Sequence, residues 1–147
     1  MNIDAINWKI LKMLQENARV ALKDLAQEVG LSSPTVAERI QKMEAAGIIT
    51  SYQTKVDLSQ LGYSLAVYIT IKIRFGQTQR FEEFIPSVPE ISECHKLTGR
   101  DCMLLRGHVR DPKHLEDLNI RLAAYGELTT SLVLSSILDG KVYDAPF

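Results

Sequence analysis

The stretch Val29–Gln41, VGLSSPTVAERIQ, ends one amphipathic helix at a glycine and starts another within three residues. Upstream, Leu22, Leu25, Ala26 and Val29 fall at i, i+3, i+4 and i+7, one face of a helix in barely two turns. Gly30 supplies the left-handed residue that stops it. Leu31 can plug the corner, Ser32 or Ser33 can cap the next helix, and Pro34 suits that helix's first turn, where a missing N–H costs nothing. On the new helix Val36, Ile40 and Met43 point one way. Pro34, Glu38, Gln41 and Lys42 point roughly the other way, with Thr35 and Arg39 nearer the flank.

Working outward, Asp4 can cap a first helix whose stripe is Ile6, Ile10, Met13 and Leu14, widened by Trp8 and Leu11. Gly47 stops the third helix, and the β-branched run IITSYQTKVD after it could form a short wing strand. Three helices in some fifty residues, with a tight glycine turn between the second and third, make a helix-turn-helix. Such a motif exposes the second helix of its pair to a major groove. Ser33, Pro34, Thr35, Glu38, Arg39, Gln41 and Lys42 are then the candidate DNA-facing residues. Thr35, Gln41 and Lys42 can bond base edges or phosphates, and Glu38 can accept from a cytosine amine. Arg39, closer to the core, is expected to pair with Asp24 or Glu28. The same periodicity also suits plain three-helix packing with a solvated face.

Charge argues the other way. The 147-residue chain has net charge −1, from 17 Lys and Arg against 18 Asp and Glu. Residues 1–60 hold seven basic and seven acidic side chains, whereas nucleic-acid binders usually carry a basic excess. Positive charge must then be concentrated on one face or multiplied by oligomerisation.

Beyond DLSQLGY, which reads as a hinge, the period changes to two. In YSLAVYITIKIRF the odd positions Tyr63, Leu65, Val67, Ile69, Ile71, Ile73 and Phe75 are apolar, the mark of a half-buried strand. RFEEFIPSVP spaces Phe81, Phe84, Ile85 and Val88 for a helix. ISECHKL and CMLLRGHV are short strands around the turn TGRD. Asp111 and Pro112 open a helix with Leu115, Leu118 and Leu122 facing in, and ELTTSLVLSSIL is the last strand. The order βαββαβ predicts an α+β fold: a winged helix-turn-helix over residues 1–60, then a ferredoxin-like sandwich over 61–147. The second sheet face, with Ala66 and Tyr68, is too apolar to be wholly wet, so pairing with a second chain is expected.

Other chemistries find little support. No stretch approaches the roughly 18 apolar residues of a membrane span, and the start MNIDAINWKILKML lacks a secretory pattern, so a cytoplasmic protein is expected. Cys94 and Cys102 lack Cys-x-x-Cys spacing and read as reduced and buried. His95, His108 and His114 are scattered, with His95 and His108 on strands, and no phosphate-cradling glycine loop or zinc spacing occurs. Neither cofactor nor metal is expected, and nothing marks a nucleophile.

The segments DAINWKILKMLQENAR, LAQEVGLSSPTVAERIQKMEAAGIITSY, LGY, ISECHKLTG and RLAAYGELTTSLVL together resemble the leucine-responsive and asparagine-responsive (Lrp/AsnC, feast–famine) regulators. The resemblance covers nearly the whole chain. It implies a transcription regulator, not an enzyme, acting on double-stranded DNA at the nucleoid. It also implies homodimers that assemble to tetramers or octamers, with amino-acid effectors bound between subunits. Several recognition helices in one assembly would resolve the charge problem, because linked weak sites sum.

For the effector, the resemblance points to Thr98, Gly99, Arg100, Asp101 and, on the last strand, Thr130. Either the backbone N–H groups of the Gly99 turn or Arg100 could take a carboxylate, and Asp101 an ammonium group. The chain departs from the family's Gly-Asp-aromatic-Asp loop, having Gly99-Arg100-Asp101-Cys102, and from its second acidic residue in the first helix, having Asn7. Asn7 is expected to be a surface or pairing change. TGRD also reads as a solvated hairpin turn. Two alternatives stand beside the regulator: a DNA-wrapping architectural protein with little effector control, and an enzyme like the sirohaem decarboxylases that resemble this fold family.

Overall fold

A computed structural model describes residues 3–99 and 103–145. The chain forms two compact units. One holds the residues up to Lys55 together with the segment from Leu138, and the other runs from Val56 to Ile137.

The N-terminal unit contains α1 (Ala5–Glu16), α2 (Leu22–Val29) and α3 (Ser33–Ala45). Local chemistry sets most of their ends, although α2 begins after Ala21 with no side-chain cap. Asp4 caps α1 by accepting from the Asn7 N–H at 2.8 Å. Gly30 ends α2 at φ 68°, and the amide of Leu31 turns back to the carbonyl of Ala26. Ile10, Leu25, Ala26, Val36 and Met43 close the core, with Leu31 and Ile40 packed against it. The expected wing strand is not formed: residues 50–57 are irregular. A strand needs a ladder partner, and the contacts here are made by side chains instead. Tyr52 Oη donates to Glu44 at 2.7 Å and Lys55 pairs with Asp139 at 2.7 Å.

A 3-10 turn at Leu58–Leu61 and Gly62 at φ 88° occupy the expected hinge. The second unit then runs β1 (Leu65–Ile73), α4 (Thr78–Phe84), β2 (Ile91–Lys96), β3 (Met103–Val109), α5 (Pro112–Ala123) and β4 (Gly126–Leu132). The sheet is antiparallel in the order β2-β3-β1-β4. Val67, Ile69, Ile71, Met103, Leu105 and Val109 face Phe81, Val88, Leu118 and Leu122 from the helix layer. This is the βαββαβ sandwich that the alternation and the two helical patterns predict.

Two strand ends differ from expectation. β1 stops at Ile73 rather than carrying Phe75 on its apolar face. The amide of Arg74 bonds Tyr125 O, its guanidinium reaches the carbonyls of Ala123 and Ala124, and Gly76 at φ 79° turns the chain away. Phe75 is left at 105% exposure. β4 stops at Leu132 instead of reaching Leu138, because its partner β1 begins at Leu65. The bond from Val133 N to Ala66 O lies at the end of that pairing.

The candidate DNA-binding helix and effector residues

Helix α3 owes its start to Ser32, whose Oγ accepts from the Thr35 amide at 3.3 Å and lies 2.8 Å from Thr35 Oγ1. Ser32 is therefore the cap and Ser33 the first helical residue, with Pro34 in the first turn. Pro34, Thr35, Glu38, Gln41 and Lys42 are all exposed, and Ser33 is half-buried. Three of these side chains are already engaged within the chain. Thr35's hydroxyl shares the cap, and Lys42 Nζ lies 2.7 Å from Glu38 Oε1 one turn away. Lys42's hydrogen bond and charge hold the Glu38 carboxyl below its ordinary range.

Arg39 does not pair with Asp24 or Glu28. Its Nη1 donates to Asp4 Oδ2 at 2.8 Å and to Asn7 Oδ1 at 2.9 Å, while Glu28 is taken by Lys9 at 2.8 Å. Asn7 is correspondingly not a surface residue, at 3% exposure. The Asn7 amide, then Arg39, holds the Asp4 carboxyl down. One aspartate thus caps α1 and, through Arg39, ties α1 to α3. Sequence spacing gives no signal for such a pairing, since the three groups meet only when the helices pack.

The effector candidates divide. Thr98 and Gly99 lie exposed after β2, Gly99 with the positive φ (104°) expected of its turn. Arg100 and Asp101, with Cys102, lie outside the described residues. Thr130 is on β4, on the helix-facing side of the sheet, and its Oγ1 bonds Asn119 Oδ1 at 2.9 Å. Thr130 and Asn119 border an open groove of about 600 Å³ between α5 and β4, walled by Leu115, Ile120, Ala123 and Leu128. β2 and β4 are opposite edges of the sheet. Thr98 and Gly99 are therefore not brought together with Thr130 inside one chain.

Among the remaining polar groups, Glu90 is the most enclosed. Its Oε1 accepts from His114 Nε2 at 2.8 Å and from the Arg121 guanidinium, and its buried Oε2 has no partner among the described residues. The half-buried Cys94 is a free thiol that burial pushes up, rather than the fully buried one expected. Among the described residues no cluster of His, Cys, Asp or Glu could hold a metal ion, and no helix is long and apolar enough to cross a membrane.

A capped helix with an outward polar face, preceded by a short helix and a left-handed glycine, defines a helix-turn-helix DNA-binding module, here followed by an α/β sandwich. Residues 3–50 match the winged helix-turn-helix DNA-binding family, and residues 66–143 match the Lrp/AsnC ligand-binding domain. The chain belongs to the Lrp/AsnC family, whose named relatives are HTH-type transcriptional regulators. It is 27% identical to the regulator LrpC of Bacillus subtilis over 93% of this chain and 95% of that one. The solved LrpC structure superposes with a TM-score of 0.90 over 96% and 100% of the two chains. It is 34% identical to the leucine-responsive regulatory protein of Haemophilus influenzae, over 96% of this chain and 82% of the relative. The regulator NMB0573 of Neisseria meningitidis, solved as an L-Met complex, is 28% identical with a TM-score of 0.87, covering 99% and 97%.

Proposed function

We propose that this protein is a sequence-specific transcription regulator that reads duplex DNA with α3. In this reading residues 1–60 bind DNA, and residues 61–147 sense a small molecule and assemble the chain into a homodimer or larger oligomer. The observation that carries it is the face of α3: Pro34, Thr35, Glu38, Gln41 and Lys42 stand exposed on a helix whose opposite side, Val36 and Met43, is sealed in the core. Gln41 and Thr35 take the base-reading role and Lys42 the phosphate role. Ser33 and Pro34 shape the first turn. The Glu38–Lys42 pair must open for either partner to reach DNA, and Glu38, once free, can accept from a cytosine amine. Arg39 acts by holding α3 against α1.

The effector reading is an amino acid or related metabolite held between subunits, with Thr98, Gly99, Arg100 and Asp101 from one chain and Thr130 from another. The separation of Thr98 and Gly99 from Thr130 on opposite sheet edges supports a site shared by two chains. The L-Met bound by the Neisseria relative makes amino acids the first ligands to try.

Gel shifts against salt concentration test the DNA part. Lys42→Ala should weaken binding to all sequences and lower the salt slope by about one unit. Gln41→Ala should relax preference at particular base pairs, costing about 1–3 kcal/mol there. Unchanged affinity in Thr35, Gln41 and Lys42 variants together would remove α3 from the interface.

A further inference from the structure

The chain does not end its structural work at β4. After Ile137 it leaves the sheet unit and rejoins the N-terminal one. There it is held at three points. Lys12 Nζ meets Asp144 Oδ2 at 2.6 Å on the outer side of α1. One turn on, the Gln15 amide pairs with the Tyr143 backbone from both ends: Nε2 donates to Tyr143 O at 2.9 Å, and Oε1 accepts from Tyr143 N at 3.0 Å. Lys55, in the segment after α3, meets Asp139 Oδ2 at 2.7 Å. Gln15 and Lys55 both border one groove of about 850 Å³ between the C-terminal half of α1 and residues 48–55. The tail therefore has one foot on each wall of that groove.

We propose that residues 138–145 are a strap. The strap clamps the end of α1 to the segment that follows α3. It also gives the DNA-binding unit a second chain connection to the sheet unit, besides the one after Lys55. A unit held by one linker reorients freely, whereas a unit held by two crossings has fewer orientations to lose on binding. The fastening is built to be loosened. Both ion pairs are about half exposed or more, and pairs of that kind contribute little and weaken with salt. The Gln15–Tyr143 pairing uses the tail's backbone. It depends on the tail lying in place, not on the identity of residue 143.

Hydrogen exchange on the full chain tests the strap directly. Truncation after Ile137 should speed amide exchange in the last turn of α1, Lys12–Glu16, by about tenfold while leaving β1 and β3 unchanged. Gln15→Ala should reproduce part of that effect. Lys12→Asp should loosen the same turn, and Lys12→Asp with Asp144→Lys should restore it, which a merely misfolded variant would not do. A second arm rests on the DNA-binding reading. For a duplex carrying two half-sites, truncation should raise the dissociation constant about tenfold, with little change on a single half-site. Equal exchange in the truncated and full chains, or no rescue by the charge swap, would overturn the strap whatever the DNA results. Normal exchange effects with no DNA binding by the full chain would instead overturn the function proposed for α3.

Discussion

Arg39 shows how much one side chain can carry when its partners come from another element. It satisfies the buried Asn7 amide oxygen and neutralises the Asp4 cap with the same nitrogen. Removing it leaves Asn7 Oδ1 without a donor in a closed core, at a cost of about 1–3 kcal/mol. Arg39→Ala should therefore lower the urea midpoint, and Asn7→Leu in that background should recover most of the loss, because removing both partners is cheaper than orphaning one. Continued instability of the double variant would assign the loss to packing of the Arg39 stem instead. Glu90 makes the matching case in the sheet unit. Burial pushes its carboxyl up, but the hydrogen bonds from His114 and Arg121 outweigh burial and hold it below the ordinary 4.5. A folded value below the unfolded one means that the stabilisation is full above the unfolded value and lost as pH falls through the folded one. Melting curves should accordingly show Glu90→Gln less stable than the parent at neutral pH, the gap narrowing below about pH 4. A gap that widens in acid would contradict the assignment. Both residues were invisible as partners in the sequence. Each of these pairs joins elements far apart in the chain, and periodicity reports only a residue's own element.

At the scale of elements, the signals that succeed are local. Asp4, Gly30, Ser32, Pro34, Asp111 and Pro112 mark ends of α1, α2, α3 and α5 by chemistry confined to a few residues, whereas α4 starts after Gln77 with no side-chain cap. The failures concern strands, whose existence depends on what lies beside them. The β-branched run after Gly47 finds no ladder, and the apolar pattern of β1 and β4 outlasts the pairing on which each depends. Gly107 illustrates the same dependence from the inside. Ile91 and Glu93 straddle a register irregularity between β2 and β3, and the carbonyl of Glu90 crosses close over Gly107 to accept from His108 N at 2.9 Å. A Cβ on Gly107 would meet that carbonyl oxygen at 2.7 Å. Backbone cannot rotate away as a side chain can, so Gly107→Ala should cost at least about 1–3 kcal/mol in thermal or urea unfolding. A neutral result would mean that the β2 edge gives way easily. Gly126, against the carbonyl of Lys72, makes the same demand where β4 begins.

For the whole molecule, apolar surface is the unfinished business of a single chain. Tyr68 is 41% exposed on the outer sheet face, and Leu134 and Ile137 beyond β4 are 96% and 101% exposed. Patches of this kind mark interfaces. The protein should therefore run as at least a dimer by light scattering. Tyr68→Asp should shift it toward monomer without lowering helix content, and an unshifted mass would move the interface off that face. The alternation in β1 made this second face legible from the sequence, whereas the return of residues 138–145 to the first unit was not: its contacts are single polar groups in a segment with no period. The strand order has a last consequence, in time rather than in space. β1 is the first strand made, yet its neighbours are β3 and β4, with Leu65 opposite Val109 and Val67 opposite Leu132. During synthesis one flank of its apolar row waits for β3 and the other waits longer, for β4. Long-range pairing of this kind folds slowly and leaves the waiting strand open to wrong partners. The helices of the first unit can nucleate early, but Gln15 receives the Tyr143 backbone only after β1 to β4 have all been made. The finishing contacts of the earliest unit thus form later in synthesis than the first strand's final ladder.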